Sequence, residues 1–449
     1  MLGLPLYRVV ESVSASGRKA AVSAALAAVL LLAPSPAALA LDWEIETVDD
    51  AINWIGSSVA IVVGNDGTPH IGHGAHPTQI VRYAVKVGNE WLIEEADGYP
   101  TGLCAAIALD PSGNPCLAYL DWDSLTFARR VDSIWTHETI DLMHADARCA
   151  LGFSIDGIPH IAYCKQGDPW NLKHACKPAD TWLIETADPT VAAGNDIDMV
   201  IDHAGNPHIS HWAAPNYGDG PFETRYTRWN GSEWLHDIID DTGENLNVIQ
   251  SGIALDADGN PHIAYFTHDW SAPDVKYAVW NGVNWDITTV EANLPSSAAC
   301  HLVLDRTSSP HVVYGTGYCQ SGGSSELRYA YLDEVGDWVI EVIDGDGDAG
   351  ELNSLALDLF GYLHVAYFRG PGAGQNGEIR YARSTTPVCC PGDVNGDGKT
   401  DLSDLAELLA AYGSSIGDPH YNPSADFDRD GDVDLADLAF LLADYGCGG

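Results

Sequence analysis

The stretch Ile253–Tyr265, IALDADGNPHIAY, decides the fold because close copies of it recur along the chain. An apolar run leads into an Asp–Gly turn, and a Pro-His pair then opens a second apolar run. Two short apolar runs joined by a tight polar turn predict a pair of antiparallel strands. Seven anchors occur 44 to 54 residues apart. Five are Pro-His pairs, at Pro69-His70, Pro159-His160, Pro207-His208, Pro261-His262 and Pro310-His311, and Pro115-Cys116 and Leu363-His364 are degenerate copies.

Two more strands follow each anchor. The third is a short run such as Lys276–Val279, KYAV, and the fourth is an alternating run that opens on tryptophan. The period-2 alternation and the β-branched and aromatic residues exclude a helical solenoid. Four short strands per repeat of this length are typical of a β-propeller blade. The opening tryptophans are Trp91, Trp135, Trp182, Trp234, Trp285 and Trp338.

The two ends of the repeat region predict the number of blades. Residues Trp43–Val48 have the pattern of a fourth strand without the first three, and Arg380–Arg383 have that of a third strand without a fourth. If the N-terminal strand completes the last blade, the ring closes and no sheet edge stays open. We therefore predict an all-β, seven-bladed propeller closed by the N-terminal strand; six or eight blades, or two stacked sandwiches, are the alternatives.

Composition limits the classes of partner. Hydrophobic residues make up 46% of the 449 residues, as in a globular protein. Acidic residues outnumber basic ones 64 to 21, which gives a formal net charge of −43. This charge repels phosphate backbones and anionic lipid surfaces, so we expect no nucleic-acid partner and no binding to an anionic membrane surface.

The N-terminus has the pattern of an export signal. Arg18-Lys19 precedes the uncharged apolar run Ala20–Ala33, and small residues end at Ala40. The run is short for a membrane span, although a retained anchor is the alternative. We predict a signal peptide at 1–40, the propeller at 42–386 and a C-terminal module at 389–449. The mature protein is then secreted or associated with the cell surface, with no membrane span.

The ten cysteines are disulfide candidates in an exported chain. Cys149 and Cys164 flank a predicted hairpin turn almost symmetrically, and Cys390 and Cys447 bracket the C-terminal module. We predict both pairs as disulfides.

Two Asp-rich loops carry the clearest chemistry in the chain. They are Asp393–Asp404, DVNGDGKTDLSD, and Asp426–Asp437, DFDRDGDVDLAD, each followed by an amphipathic pattern. Oxygen ligands at positions 1, 3, 5, 9 and 12, with glycine at 6 and a backbone carbonyl at 7, fit Ca²⁺. We predict two Ca²⁺ sites, held by Asp393, Asn395, Asp397, Lys399, Asp401 and Asp404, and by Asp426, Asp428, Asp430, Asp432, Asp434 and Asp437; Lys399 and Asp432 contribute the backbone carbonyl.

The duplicated loop and exit helix, with no helix before either loop, resemble a type I dockerin over 390–449. The resemblance implies a small, all-α, calcium-binding module that docks into a cohesin-like or cell-surface protein and accompanies polysaccharide-degrading enzymes or their helpers. At loop positions 10 and 11, where well-known members have Ser-Thr, this chain has Leu402-Ser403 and Leu435-Ala436.

The propeller repeat resembles those of secreted bacterial propellers. Residues that recur in every blade are expected to be scaffold, so we interpret the anchor histidines as packing residues bonded to nearby backbone. The acidic stretch Asp344–Glu351 is interpreted as a turn, with a calcium loop as the alternative. Non-repeated aromatics between second and third strands suit stacking on sugars, although they also suit filling gaps between blades. These candidate ligand-binding residues are Trp122, Trp170, Trp212, Tyr217 and Trp270.

The sequence leaves two functions open. A propeller that binds a carbohydrate or protein ligand is favoured because no spacing singles out a pair of catalytic carboxylates. A glycoside hydrolase or lyase acting on a polysaccharide is the alternative, supported by the proteins that dockerins accompany.

Overall fold

Seven four-stranded antiparallel sheets form a closed ring of blades, as predicted. The structure is a computed structural model. It describes residues 41–52, 58–75, 80–97, 104–120, 123–142, 148–165, 170–190, 193–214, 222–240, 251–267, 272–296, 298–317, 325–333, 335–370, 377–428 and 430–447.

Blades 1 to 4 each take four strands in chain order, and neighbouring strands are antiparallel. Blade 1 has β2 (Val59–Val63), β3 (Pro69–Ala75), β4 (Ile80–Val87) and β5 (Glu90–Glu95). Blade 2 has β6 (Cys104–Leu109), β7 (Pro115–Leu120), β8 (Ser124–Val131) and β9 (Ile134–Leu142). Blade 3 has β10 (Cys149–Phe153), β11 (Pro159–Lys165), β12 (Asn171–Cys176) and β13 (Leu183–Asp188). Blade 4 has β14 (Asn195–Ile201), β15 (Pro207–Ala213), β16 (Glu223–Trp229) and β17 (Trp234–Asp240).

Blades 5 to 7 complete the ring, and the last of them takes its outer strand from the N-terminus. Blade 5 has β18 (Gly252–Leu255), β19 (Pro261–Phe266), β20 (Val275–Trp280) and β21 (Trp285–Glu291). Blade 6 has β22 (Cys300–Leu304), β23 (Pro310–Gly315), β24 (Leu327–Leu332) and β25 (Trp338–Asp344). Blade 7 has β26 (Ala349–Leu357), β27 (Leu363–Arg369) and β28 (Gly377–Ser384), with β1 (Trp43–Ile52) as its fourth strand.

The strand directions give the ring two different faces. The turns between first and second strands lie on one face, here called the turn face, at 64–68, 110–114, 154–158, 202–206, 256–260, 305–309 and 358–362. Because neighbouring strands are antiparallel, every first strand begins at the opposite face. That loop face also carries the connections between second and third strands.

The anchor histidines are scaffold, but their main partner is a tyrosine side chain and not the backbone, which corrects the prediction. In blade 7, His364 Nδ1 lies 2.6 Å from Tyr381 Oη, and its Nε2 lies 3.0 Å from Asp358 Oδ2. Asp358 also accepts two backbone N–H groups of its turn, and Gly361 takes the left-handed φ of 80°. Equivalent pairs are His70–Tyr83, His208–Tyr226, His262–Tyr277 and His311–Tyr329, with His160–His174 in blade 3.

The blade-opening tryptophans join neighbouring blades. Each contacts the third-strand ring of the preceding blade, and most of these contacts are edge-on, a favourable geometry for aromatic rings. The contact between Trp43 and Tyr329, 5.7 Å between ring centroids, includes the N-terminal strand in this series. The other pairs are Tyr83–Trp135, Phe127–Trp182, His174–Trp234, Tyr226–Trp285, Tyr277–Trp338 and Tyr381–Trp91.

One of the two predicted disulfides is present. Cys390 and Cys447 are bonded and join the two ends of the C-terminal module. The predicted pair Cys149–Cys164 is wrong, because the strand register places Cys149 opposite Tyr163. Successive residues point to opposite faces of a sheet, so Cys164 faces away from Cys149.

Two short helices, α1 (Leu402–Ala411) and α2 (Leu435–Asp444), form the C-terminal module. Asp401 and Asp434 cap them, since each accepts a hydrogen bond from a backbone N–H of the first turn. The helices share a core that includes Leu408, Phe427 and Leu441. Within the described part of the chain, neither helix is long and apolar enough to span a membrane.

Breaking the Cys390–Cys447 disulfide is expected to destabilise the module. The bond closes a loop with a sequence separation of 57 residues. Loop-closure entropy for this length corresponds to about 4 kcal/mol. A Cys390→Ala, Cys447→Ala variant should therefore lose its helical circular dichroism at a lower temperature in saturating calcium. Cys389→Ala is the matched control, and equal melting of the two variants would contradict this role.

Aromatic contacts seat the module on the turn face. The Arg306 guanidinium of blade 6 lies 4.5 Å from the centroid of the Phe427 ring, and its Nη1 donates to Ser424 O. Phe360 of blade 7 stacks on Phe440 of α2 at 5.7 Å. Phe427 stacks in turn on Phe440 at 5.0 Å. The second Asp-rich loop, the residues just before it and α2 therefore lie on these two blades.

The module also reaches the other side of the ring. Asn65 of blade 1 donates to the backbone carbonyl of Asp428 at 3.2 Å. A Cβ added to Gly431 would lie 3.4 Å from Ile155 Cδ1, in the first turn of blade 3. Blade 3 lies across a seven-bladed ring from blades 6 and 7. The module therefore crosses the propeller axis at the turn face.

Candidate calcium centres and axial site

The first Asp-rich loop is curled around one carboxylate. Asp393 accepts backbone N–H groups from Gly396, Asp397 and Gly398, at 2.6 to 3.2 Å. Gly398, at position 6, has a φ of 81°, a conformation that glycine adopts without strain. The loop therefore makes the sharp turn that the calcium pattern needs, and the Lys399 side chain is exposed.

The second loop gathers negative charge. Oxygen atoms of Asp426, Asp428 and Asp430 lie within 4.8 Å of one another. Burial, followed by the charge of Asp430 and its neighbours, raises the pKa of Asp428 to about 6. Asp426 Oδ1 is buried without a hydrogen-bond partner among the described residues. A divalent cation would neutralise this repulsion and bond that oxygen, so these residues fit Ca²⁺.

The twelve predicted ligands lie in the two loops immediately before or at the start of α1 and α2. Asp404 and Asp437, at position 12, are buried. Each accepts the backbone N–H of its helix cap, Asp401 or Asp434. The Asp432 side chain is exposed, as a position that contributes only its backbone carbonyl requires. Two sites and their ligand sets stay predictions.

The five aromatic residues predicted as candidate ligand-binding residues have different surroundings. Trp122, Tyr217 and Trp270 lie outside the described residues. Trp170 is half-buried. Trp212 is only 9% exposed, and its ring stacks on that of Phe222 with 5.3 Å between the ring centroids and an angle of 9° between the ring planes. One face of the Trp212 ring is therefore covered by Phe222, which agrees with the space-filling alternative; ligand binding at these residues stays a prediction.

Near the loop face, second-strand tyrosines bond an acid from the preceding blade, as Tyr367 does with Asp344 at 2.7 Å. Asp344 also accepts hydrogen bonds from Arg380 and from the backbone N–H of Asp346, and residues 345–348 connect β25 to β26. The acidic-turn interpretation of Asp344–Glu351 stays a prediction. Blades 1 and 4 have histidine at the tyrosine position. There His73 lies 3.5 Å from Asp49, and His211 lies 3.6 Å from Asp188.

Acid is expected to destabilise the propeller through His211. Burial, opposed by the charge of Asp188, lowers the pKa of this histidine to about 4. Unfolded histidine has a pKa of about 6.5, so between the two values the unfolded chain binds a proton that the folded chain does not. Stability is full above the unfolded pKa and falls as pH drops toward the folded pKa, by about 3 kcal/mol in all.

His211→Tyr, which installs the residue found in most other blades, should remove this part of the pH dependence. The measurement is the free energy of unfolding in urea at pH 7 and pH 4.5. Equal pH dependence in the variant and the unaltered protein would rule the effect out.

A group of polar residues interrupts the sevenfold pattern beside the axis. Arg148 precedes the first strand of blade 3, and its Nε lies 2.9 Å from Asp196 Oδ1 in blade 4. His301 lies in the first strand of blade 6, and the Arg148 charge contributes to lowering its pKa to about 4, after burial. At the register of His301, the first strands of blades 1, 2 and 3 have alanine, at Ala60, Ala106 and Ala150. Sequence reasoning missed this group because its members stand in three different repeats.

Comparisons with known proteins agree with both parts of the structure. The fold and the loops define a seven-bladed propeller followed by a module with duplicated calcium-type loops. Residues 391–443 match the dockerin type I domain, so the chain carries a type I dockerin after its propeller. No significant match to a curated protein was found.

Among solved structures, a polysaccharide lyase of the PL25 ulvan lyase type, bound to -[GlcA(1-4)Rha3S]-, is similar at a TM-score of 0.53 and 12% identity. The match covers 74% of this chain and 95% of that one. The Aleuria aurantia lectin is similar at a TM-score of 0.45 and 13% identity, over 67% of this chain and 98% of the lectin. Likeness at this identity concerns the fold alone.

Proposed function

We propose that this protein is an extracellular, dockerin-anchored propeller that binds polysaccharide through its loop face. The observation that carries the proposal is the module lying across the turn face, with contacts to blades 1, 3, 6 and 7. The module therefore covers the turn face around the propeller axis. Ligand recognition then falls to the loop face, where the side chains depart from the sevenfold repeat.

Calcium would shape the module for docking. Two sets of apolar residues, separated by the same 33-residue offset as the loops, stay exposed while the module lies on the propeller. An exposed, duplicated apolar surface on a dockerin suits a cohesin-like partner, since exposed apolar patches mark interaction sites. The pairs are Leu402 and Leu435, Leu409 and Leu442, and Tyr412 and Tyr445.

Polysaccharide cleavage is the second candidate function. It is favoured by the axial group, where burial raises the pKa of Asp196 to about 6, opposed by the charge of Arg148. A carboxyl group that titrates near neutral pH suits proton transfer. The propeller shared with a polysaccharide lyase is consistent with it.

One screen tests both functions. The purified full-length chain is applied, with calcium, to a panel of immobilised neutral and anionic polysaccharides, and both retention and the release of new reducing ends are measured. Retention without release supports a binding protein. Release that an Asp196→Asn change abolishes supports cleavage. Neither retention nor release on any member of the panel would exclude the proposed function.

A further inference from the structure

The axial group occupies the loop-face end of the channel along the propeller axis. Arg148 and Asp196 stand where the first strands of blades 3 and 4 begin, and these strands are the innermost of their blades. Blade 6, with His301, lies on the other side of the ring from blade 3. His301 is the second residue of its first strand and Asp196 the second residue of its own, so both lie near the loop-face ends of innermost strands around the central channel of the ring.

His301 differs from the equivalent residues of the other blades. In each blade, one residue of the first strand pairs with the second-strand residue that directly precedes the tyrosine or histidine described above. These seven first-strand residues form one layer around the axis. Most of them are small because neighbouring blades nearly touch there; a Cβ on Gly252 would lie 2.5 Å from Leu302 N. The layer consists of Ala60, Ala106, Ala150, Asp198, Gly252, His301 and Ser354.

The other polar members of this layer have structural partners. Asp198 accepts the backbone N–H of Ile253 at 3.0 Å, which joins blades 4 and 5. Ser354 accepts the N–H of Ile61 at 3.2 Å, which joins blades 7 and 1. These contacts satisfy strand-edge groups that would otherwise be unpaired at the channel. They account for both residues without a ligand.

No structural hydrogen bond of this kind explains the Nε2 atom of His301. Its ring bonds the backbone of Asn353, while Nε2 is buried without a hydrogen-bond partner among the described residues. With its pKa lowered to about 4, the ring is neutral at pH 7. The unpartnered nitrogen is then an acceptor, and a buried acceptor without a hydrogen bond destabilises the folded protein. A donor from a ligand would offset this cost.

Asp196, the partner of Arg148, has an unfavourable backbone conformation. Its φ is 48°, in the left-handed region, at the irregular pairing between Asn195 and Asp198. The carboxyl group is 12% exposed and is held by Arg148, whose side chain is 29% exposed. Strain in a non-glycine residue persists where the surroundings fix a side chain in place, often at binding sites.

We propose that Arg148, Asp196 and His301 form a subsite at the loop-face mouth of the axial channel that binds a neutral sugar residue of a polysaccharide. This proposal rests on the proposed function and specifies where on the loop face the polysaccharide binds. Sugar hydroxyls donate to His301 Nε2 and to the Asp196 carboxylate, and they accept from the Arg148 guanidinium. A polyanionic chain is disfavoured because Asp196 and the net charge of −43 oppose it.

The test uses His301→Ala and Asp196→Asn in the full-length chain with calcium. His301→Ala restores the residue of blades 1 to 3 at this register, so the fold should be retained; unchanged thermal melting checks this. Affinity for the neutral polysaccharide best retained in the screen is expected to fall at least about tenfold in each variant, a loss of roughly 1.4 kcal/mol. His203→Ala, an exposed histidine on the turn face, is the matched control.

A second readout follows His301 itself. In the ¹⁵N-histidine-labelled protein, an oligosaccharide fragment of that neutral polysaccharide should shift the His301 Nε2 resonance, because this nitrogen then accepts a hydrogen bond. Unchanged affinity in both variants, or an unshifted resonance at saturation, overturns the axial subsite while the proposed function stands. Absence of any polysaccharide binding by the unaltered protein overturns the proposed function instead, and the subsite with it. Preferential binding of a polyanionic chain also contradicts the subsite.

Discussion

Removing calcium is expected to unfold the C-terminal module and leave the propeller folded. In the second loop, Asp426, Asp428 and Asp430 hold their oxygen atoms within 4.8 Å of one another. Without a cation these charges repel, and Asp426 Oδ1 stays buried without a partner among the described residues. Metal-binding free energy is folding free energy in small modules of this kind, so chelation should cost the module most of its stability.

The experiment compares an Asp397→Ala, Asp430→Ala variant with the unaltered protein, each in calcium and in excess chelator. Helical circular dichroism reports on the module, because both helices of the described chain belong to it. The variant in calcium should match the unaltered protein in chelator. Asp432→Ala is the control, since it removes an exposed carboxylate from the same loop but keeps the backbone carbonyl. A helical signal that chelator does not change would refute calcium-dependent folding.

A chain that begins at residue 53 is expected to lose the closed propeller. Strand β1 pairs along β28, from Trp43 opposite Ser384 to Ile52 opposite Gly377. Val48 lies in the same buried cluster as Ile379. Without this strand, β28 becomes an open edge, and open edges promote aggregation. The contact between Trp43 and the preceding blade is also lost.

The size of this effect follows from burial. Trp43 is half-buried, so loss of its side chain alone corresponds to about 2 kcal/mol, and a domain has only about 5–15 kcal/mol in total. A chain that begins at residue 42 should unfold in urea in one cooperative transition, and Trp43→Ala in that chain should shift the midpoint but stay folded. The chain from residue 53 should aggregate, and a peptide of residues 42–52 should restore it. The same midpoint for both chains would show that β1 does not close the ring.

Repetition explains why so much of the fold could be predicted from the sequence. Most blades repeat the Asp–Gly turn, and all seven have the opening tryptophan, so an error in one copy is corrected by the others. The split blade was visible because Trp43–Val48 and Arg380–Arg383 are incomplete copies of the same unit. The calcium loops have a fixed ligand spacing, which a sequence shows directly.

Contacts between distant segments could not be predicted in this way. Asn65 and Asp428 are 363 residues apart, and their hydrogen bond depends on how two finished domains meet. The error over Cys149 and Cys164 arose because hairpin symmetry does not fix strand register to one residue. The axial group was missed because Arg148, Asp196 and His301 belong to three repeats, and only ring closure brings them to one axis.

The module across the turn face has a consequence for how the propeller meets a polymer. With one end of the axial channel covered, a polysaccharide bound as proposed would not thread through the ring. It would present a chain end or a bend at the other mouth and leave by the same route. If the module docks into a cohesin-like partner, that mouth points outward from the attachment site. Docking would then orient the proposed binding face toward the surrounding polymer.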